Sequence, residues 1–432
     1  VSHTPFLCLL EKSMAQSFMQ IPSEVWNHVF TFLPVSDKFC VRATCKYFKK
    51  LIDHWSLWKG WSVVLSFRNG PYSSQFWASL RRRKVASVVM TSNKAKHWSQ
   101  LTQGLPGVST VVVEGTPRTN FRFLEELPHV KRVAVRSTFL LCDANPAAAA
   151  QQLTHLSLCG ISLSSKDVFK ATLSKFTNLT SLDYHLEPIG PPVSCLQVLV
   201  DSLPKLKRLS VCFKRVLLCY DTTEAIHRPA ALSSLELVNY MNFSLPTDTM
   251  RLLPHLRSLS VYHQLSHTEM DDPEHLGFYL KSWLSDLPQL SSLVVIKGPA
   301  ANTYASSIPA TVTSLTLRVA GLSAGDMAAV AAQVPNLLHL HIDPWPSRLG
   351  AHTSKIPQLF PKLKSLKIRH ECVPEKDFLQ LHQLQDLEHL EVLDDRPNLW
   401  DLVGKLRMIT KNRLNISTSP LPRDVLCCAC TQ

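Results

Sequence analysis

The sequence predicts an α/β protein in which a small three-helix module precedes a long solenoid, with parallel strands on its concave face and helices outside. Two observations support this prediction: an apolar pattern that recurs through most of the chain, and a short N-terminal stretch with helical spacing that lacks the pattern. The chain has 432 residues, more than one compact domain usually holds, and 45% of them are hydrophobic, which is enough to build a sizeable core.

The recurring pattern has the form apolar-x-x-apolar-x-apolar. Its copies begin at Val85, Val108, Val130, Leu153, Leu179, Leu206, Leu232, Leu256, Leu290, Val312, Leu337, Leu363 and Leu387. Successive copies start 22 to 27 residues apart, except for one step of 34 residues between Leu256 and Leu290. This period is typical of leucine-rich repeats, which span about 20–29 residues.

Each copy predicts one short strand and one return helix. Alternate side chains of the apolar-x-apolar end face the core and the solvent. The residues between two copies carry helical spacing, as in Phe278, Leu280 and Trp283, and a proline such as Pro288 ends the helix before the next strand. One unit cannot bury its own apolar face, so neighbouring units are expected to stack.

The first 60 residues lie outside the repeat and predict three short helices. The first helix is amphipathic, with apolar residues at Val25, Trp26, Val29, Phe30 and Leu33. Pro34 ends this helix, and two further helices precede the aromatic cluster of Trp55, Trp58 and Trp61. Three short helices bury little surface by themselves, so we expect this module to complete its core against a partner.

Residues 21–58 closely resemble the F-box. The matching residues are Ile21, Pro22, Glu24, Val25, Val29, Phe30, Phe32, Leu33, Pro34, Asp37, Cys45, Lys46, Phe48, Leu51, Leu57 and Trp58. Lys38 and Thr44 stand where the family usually has apolar residues, and Phe48 replaces the commoner tryptophan. An F-box followed by leucine-rich repeats resembles the F-box/leucine-rich-repeat family, and this resemblance covers nearly the whole chain.

The resemblance implies a substrate receptor of a Skp–cullin–F-box ubiquitin ligase. In that family the F-box binds the Skp adaptor, which docks on a cullin that carries a RING subunit, while the repeats hold a protein substrate for ubiquitination. The residues expected to bind the adaptor are Ile21, Pro22, Val25, Val29, Phe30, Leu33, Pro34, Phe48 and Trp58. Under the alternative interpretation, some of these side chains only hold the three helices together.

The outward positions of the predicted strands are mixed in character, with small polar and basic residues. We expect an acidic or phosphorylated substrate segment to contact the basic ones. The candidate substrate-binding residues are Lys207, Arg208, Arg257, His339, His341, Lys364, Lys367 and Arg369. Ordinary solvation of these strand positions is the competing interpretation.

The predicted boundaries are a disordered extension at 1–18, the F-box at 19–60, a linker and solenoid cap at 61–84, about 13 repeats at 85–415 and a tail at 416–432. Two other functions stay open. One is a scaffold that binds the Skp adaptor without recruiting a cullin. The other is an RNA-binding protein, which the net charge of +13 would favour but the lack of interleaved exposed aromatic residues on the strands does not.

Composition excludes several other classes of protein. Signatures such as GxSxG, HExxH and GxxxxGK[ST] do not occur, so neither an enzyme nor a cofactor is predicted, and three thiols near the end of the sequence without a nearby histidine make a poor metal site. Twelve scattered cysteines without a CxxC pair, no secretory signal and no membrane-length apolar run predict an intracellular protein, cytoplasmic and/or nuclear. The basic run at 81–84 fits either a nuclear import signal or ordinary charge at a helix end.

Overall fold

The structure is a computed structural model that describes residues 21–141, 148–185, 196, 199–212, 231–240, 245, 249–263, 278–319, 321–344, 349–394 and 399–420. The chain divides into two compact units: the first holds Val1–Pro117 and Arg122–Val133, and the second holds Arg118–Phe121 and Ala134–Gln432. The predicted extension at 1–18 lies outside the described residues, as does the tail beyond residue 420.

The first unit begins with three helices, α1 (Ser23–Thr31), α2 (Val35–Thr44) and α3 (Lys46–Ile52), and a 3₁₀ turn at Trp55–Trp58. Pro22 and Pro34 stand directly before α1 and α2, where a missing backbone N–H costs no helical hydrogen bond. The rest of the unit holds β1 (Ser62–Leu65), α4 (Ser74–Arg82), β2 (Ser87–Met90), α5 (Ala95–Gly104) and β3 (Thr110–Glu114). Strand β2 pairs in parallel with both β1 and β3.

The second unit consists mainly of strands, most of which pair in parallel with their neighbours along the chain. They are β4 (Arg118–Thr119), β5 (Arg132–Arg136, which begins in the first unit), β6 (Phe139–Leu140), β7 (His155–Cys159), β8 (Ser162–Leu163), β9 (Ser181–His185), β10 (Arg208–Cys212), β11 (Ser234–Tyr240), β12 (Ser258–His263), β13 (Ser292–Gly298), β14 (Ser314–Val319), β15 (His339–Ile342), β16 (Ser365–Arg369), β17 (His389–Leu393) and β18 (Asn415–Ser419). The short strands β4, β6 and β8 form a separate parallel sheet.

The second unit also holds the α-helices α6 (Lys166–Leu173), α7 (Phe278–Ser285), α8 (Ala324–Gln333), α9 (Ile356–Leu359), α10 (Glu375–Leu379) and α11 (Leu399–Ile409). The predicted helix around Phe278 and Trp283 is α7. Further connections are 3₁₀ turns at Phe121–Glu126, Ala148–Gln152, Thr249–Leu252, Ala301–Thr303, Ala305–Ser307, Gly350–Lys355 and Gln380–Gln383.

Leucine and valine side chains at the inward strand positions form the core. Leu259, Leu293 and Leu366 are fully buried, as the alternating pattern predicts. At the start of most strands of the long sheet, one carbonyl accepts two amides from the next repeat and sets the register. The Thr180 oxygen, for example, accepts from the Lys207 nitrogen at 2.9 Å and from the Arg208 nitrogen at 3.0 Å. A one-residue slip would turn every leucine outward, so this register also keeps the core closed.

The predicted fold class is confirmed, and each of the thirteen predicted copies holds a strand that begins two residues after the start of the copy. Five of the described strands were not predicted: the two-residue strands β4, β6 and β8, which form the separate sheet, and the strands β1 and β18. Strand β1 lies inside the stretch 61–84 that was assigned to a linker and cap, and β18 extends past residue 415. Their copies would begin at Gly60 and Arg413, where the apolar residue that defines the pattern is missing.

The described helices include none that is long and apolar enough to span a membrane. A search of the same residues found no group of three or more His, Cys, Asp or Glu side chains placed to hold a metal ion.

Candidate functional site

Helix α1 carries two apolar stripes on different sides. Residues spaced i, i+4 and i+7 lie on one face of a helix. Trp26, Phe30 and Leu33 form the stripe that packs inward. The second stripe, which we call the outward stripe, has the same spacing one residue earlier and consists of Val25, Val29 and Phe32.

The inward stripe closes a small aromatic core. Phe30 is 2% exposed, and the ring centroid of Phe48 lies 4.9 Å from that of Trp26 and 5.5 Å from that of Phe30 in edge-on contacts. Trp58 is also 2% exposed, and its indole N–H donates to the Ile52 carbonyl at 2.6 Å. The three helices therefore build a core of their own, with its polar indole group satisfied.

The outward stripe takes no part in that core. Val25 is 48% exposed, Val29 is 42% exposed and Phe32 is 74% exposed, the last touched at one edge by the His28 ring. Phe39 on α2 is 41% exposed as well, with its ring 5.4 Å from that of Trp58. Clustered apolar side chains on the surface of a small module are typical of a protein-binding face.

The structure separates the nine predicted adaptor-binding residues by burial. Pro22, Val25, Val29 and Pro34 are exposed and Ile21 is half-buried, whereas Leu33 and Phe48 pack against the core and Phe30 and Trp58 lie inside it. Direct contact of these residues with an adaptor stays a prediction. Phe32 was not among the nine, although its spacing from Val25 and Val29 would have identified it.

The departures from the F-box pattern leave helix α2 intact. Lys38 is 8% exposed, and Thr44 is exposed with its hydroxyl donating to the Val41 carbonyl at 2.7 Å. A threonine at the last position of a helix can use its hydroxyl in this way at little cost. Phe48 fills the aromatic core in place of the commoner tryptophan.

The eight candidate substrate-binding residues also differ in exposure. Lys207, Arg257, His339 and Lys364 are exposed. Arg208 is exposed too, with its guanidinium 3.9 Å from the Glu236 carboxylate, a distance at which a surface ion pair contributes little. The remaining three, His341, Lys367 and Arg369, are half-buried on β15 and β16.

The half-buried cations are paired within the chain. Lys367 Nζ lies 2.8 Å from the Glu391 carboxylate, and Arg369 Nε lies 2.5 Å from Asp343 Oδ1. Asp343 is completely buried and also accepts from Arg318 Nε at 2.8 Å. Burial raises the pKa of Glu391, but hydrogen bonds, first of all from Lys367, outweigh it and hold that pKa below its ordinary value.

His341 stands beside this network and is uncharged at neutral pH. Burial, helped by the Lys367 charge, lowers the pKa of His341 to about 4. Its Nε2 atom is buried and has no hydrogen-bond partner among the described residues. A neutral imidazole cannot contribute charge to the binding of a phosphate group, which separates His341 from the exposed lysines and arginines.

Comparison with known proteins identifies the N-terminal module. Residues 18–60 match the F-box-like family model, so this part of the chain is an F-box-like domain, here followed by leucine-rich repeats. No curated protein sequence matches the chain.

Solved structures with a similar fold include an internalin (InlF) from Listeria monocytogenes str. 4b F2365, with 15% identity over 73% of this chain and 82% of that chain and a TM-score of 0.39. The Rad7 and Elc1 complex in yeast has 12% identity over 91% and 94% of the two chains and a TM-score of 0.43. The TLR13–ssRNA13 complex has 14% identity and a TM-score of 0.36, and the match spans 78% of this chain but only 56% of that one.

Proposed function

We propose that this chain is the substrate-recognition subunit of a Skp–cullin–F-box ubiquitin ligase. In this proposal the F-box-like domain binds the Skp adaptor, and through it a cullin and a RING subunit, while the repeats bind a protein substrate. The chain itself performs no chemistry. It raises the local concentration of substrate lysines near the ubiquitin-conjugating enzyme.

The outward stripe of α1 is the observation that supports this proposal most directly. The F-box-like domain has already closed an aromatic core around Phe30 and Trp58, yet it leaves Val25, Val29 and Phe32 on the surface. Such a stripe suits a helix-to-helix contact with a partner, because its i, i+4, i+7 spacing presents one continuous apolar ridge. The exposed prolines Pro22 and Pro34 stand just before α1 and α2 and extend the same proposed contact.

On the substrate side, the exposed cations are the candidates for an acidic or phosphorylated segment. Lys207 and Arg208 belong to the repeat of β10 and Arg257 to that of β12, with the repeat of β11 between them, and their side chains are exposed. Lys364 is also exposed, and its backbone carbonyl accepts from the Glu388 N–H of the next repeat at 2.9 Å. Lys367 and Arg369 are weaker candidates, because a substrate carboxylate or phosphate would have to displace Glu391 or Asp343.

The second candidate function is a repeat scaffold that binds the Skp adaptor without recruiting a cullin. Both functions need the same outward stripe, so adaptor binding alone does not separate them. Addition of the cullin to the purified adaptor complex does: a ternary complex supports the ligase subunit, and its absence supports the scaffold.

Co-expression with the Skp adaptor, followed by size exclusion, tests the proposal. The wild-type chain should elute with the adaptor in a one-to-one complex, and Val25→Asp/Val29→Asp should not, because two carboxylates would be buried in an apolar contact. Val64→Asp is the matched control, since Val64 is 59% exposed on β1 outside the domain. Failure of the wild-type chain to bind the adaptor, or binding by the double variant equal to wild type, would refute it.

A further inference from the structure

Three arginines converge on the carboxylate of Asp53. Asp53 follows α3 as its C-terminal cap, and Arg42 on α2 donates to it from Nε at 2.8 Å and from Nη2 at 3.1 Å. Two further bonds come from the end of α4: Arg82 Nη2 at 2.9 Å and Arg83 Nη2 at 2.7 Å. One carboxylate of the F-box-like domain thus accepts hydrogen bonds from the helix of the first repeat.

Arg83 is the most deeply placed of the three. Its side chain is 5% exposed, against 27% for Arg42 and 58% for Arg82. The guanidinium carbon lies 4.6 Å from the ring centroid of Trp58 and 5.7 Å from that of Phe39, which adds cation–π attraction on aromatic residues of the domain. A planar guanidinium suits this double role, because it stacks on a ring while its edge binds a carboxylate.

The charges in this cluster are maintained. Burial raises the pKa of Asp53, but hydrogen bonds from Arg42 and Arg83 outweigh it and hold that pKa below its ordinary value. Arg83 remains protonated, since a guanidinium does not lose its proton in proteins. Asp53 has an 11% exposed side chain, so the ion pairs are well shielded from solvent and are screened less by salt than a surface pair.

The peptide between the domain and the first strand is short, and Trp61 at its end packs on the domain, with its ring centroid 4.7 Å from that of Trp58. Only Lys59, Gly60 and Trp61 separate the 3₁₀ turn at Trp55–Trp58 from β1. Gly60 has φ +81°, and a Cβ built there would meet no atom within 4 Å. A glycine in open space can change its backbone angles at low cost, so this link can act as a pivot unless side chains hold the two parts together.

The same contacts involve the basic run at 81–84, for which the sequence left two interpretations open. Arg81 donates to the Gly104 carbonyl at 2.9 Å, Arg82 and Arg83 bind Asp53, and the Lys84 ammonium lies 4.8 Å from the Trp55 ring centroid. An import receptor needs extended, accessible basic side chains. Arg83 is buried, whereas Arg81, Arg82 and Lys84 are exposed, so burial favours the structural interpretation at Arg83 alone and the import signal stays a prediction.

We infer that Asp53, Arg83 and Trp58 form a clasp that fixes the F-box-like domain on the first repeat and prevents rotation at Gly60. The consequence for a ligase rests on the proposed function. A Skp adaptor bound to the outward stripe would be held in a fixed orientation to strands β1–β3, because none of the three clasp residues belongs to the stripe. Arg83 and Asp53 are then positioning residues for ubiquitin transfer, and they make no contact with adaptor or substrate.

Limited trypsin digestion of the full chain tests the clasp without any partner. Lys59 is exposed and precedes Gly60, so the rate of cleavage after Lys59, followed by mass spectrometry, reports the mobility of the link. Arg83→Met keeps an apolar stem on Trp58 and leaves Asp53 bound to Arg42 and Arg82. We expect this variant to be cleaved at least about tenfold faster, because a hydrogen bond between charged groups contributes about 1.5 kcal/mol or more and each 1.4 kcal/mol changes an opening equilibrium about tenfold.

Arg82→Met is the matched control, because it removes the same residue type from the same carboxylate at a position that is 58% exposed. Its cleavage rate should stay within about threefold of wild type, the effect of a weak surface pair. Hydrogen exchange of α1–α3 in Arg83→Met should match wild type, which shows that the domain stays folded. Asp53→Asn should raise cleavage after Lys59 in the same way as Arg83→Met.

Three outcomes would overturn the clasp: unchanged cleavage in Arg83→Met, equal cleavage in Arg82→Met and Arg83→Met, or loss of exchange protection throughout α1–α3. The last would mean that Arg83 holds the domain's own fold rather than its orientation. Adaptor binding is measured separately. If wild type and Arg83→Met both fail to bind the Skp adaptor, the proposed function fails and the digestion result still decides the clasp.

Discussion

Phe32→Ala gives a quantitative test of the outward stripe. An aromatic side chain buries roughly 150–250 Å², and Phe32 is 74% exposed in the uncomplexed chain. If a partner covers it, about 150 Å² leaves water, which at about 25 cal/mol per Å² stabilises the complex by about 4 kcal/mol. Alanine retains part of this contact, so the variant should lose about 2–3 kcal/mol, or about 30- to 150-fold in Kd for the Skp adaptor.

Titration calorimetry with the purified adaptor measures this loss directly. Trp400→Ala is the control, because Trp400 is 65% exposed on α11, outside the F-box-like domain, and should leave Kd unchanged. Phe32→Ala should also leave the free energy of unfolding within about 0.5 kcal/mol of wild type, as expected for an exposed position. A Kd within threefold of wild type would show that the adaptor does not cover Phe32 and would refute the assignment of the stripe.

Three further predictions concern stability. Gly104→Ala should cost about 1–3 kcal/mol in urea unfolding, because its Cβ would overlap the Trp77 indole, whereas Gly107→Ala, in open space, should be nearly neutral. Asp343→Ala should cost about 3–5 kcal/mol, since it leaves two arginines without their buried carboxylate; a loss under 1 kcal/mol would contradict this. His341 has a pKa lowered to about 4, below the unfolded value of about 6.5, so the unfolded chain binds more protons and stability falls as pH drops from 6.5 to 4, by up to about 3 kcal/mol. His341→Gln should remove that part of the loss when unfolding is compared at pH 7 and pH 4.5.

The repeat array was predictable because its period is fixed by backbone geometry. Strands in adjacent repeats must stack in register, so the apolar positions return at nearly constant intervals. Two of the strands that the pattern missed, β1 and β18, stand at its ends. Gly60 and Arg413 occupy the position that is apolar elsewhere, and Arg413 instead donates to the carbonyls of Leu384 at 3.0 Å and Leu387 at 3.2 Å. A polar residue fits there because, among the described residues, β1 and β18 are the edge strands of the long sheet and have a stacked strand on one side only.

The F-box resemblance identified the module but not which side of it faces a partner. Both stripes of α1 are apolar, so composition cannot separate Phe30, which is 2% exposed, from Phe32, which is 74% exposed. Helical phase separates them only once the side that packs on Trp58 is known. That side depends on the aromatic contacts among α1, α3 and the 3₁₀ turn, which sequence spacing within one helix does not contain.

Pairing on the strand face follows from alignment of the repeats. Lys367 and Glu391 occupy the same position of successive copies, as do Asp343 and Arg369. Lys367 and Glu391 are partners in the parallel ladder, and Asp343 and Arg369 directly follow the ladder pair Ile342 and Ile368. Neighbouring strands lie about 4.8 Å apart, so opposite charges at such positions pair. The alternation within one strand predicts which side chains point outward. The neutralisation of their charges becomes visible only when neighbouring strands are aligned.

The net charge of +13 is therefore a poor guide to the strand face. On β15–β17 each half-buried cation meets a carboxylate from a neighbouring repeat, and removal of that carboxylate would leave a buried charge rather than a binding site. The exposed cations Lys207 and Arg257 lie on the repeats of β10 and β12, where a ligand can approach without breaking a buried pair. If the substrate is acidic, charge reversal at these two residues should weaken its binding far more than charge reversal at Lys367, whose partner Glu391 already satisfies it.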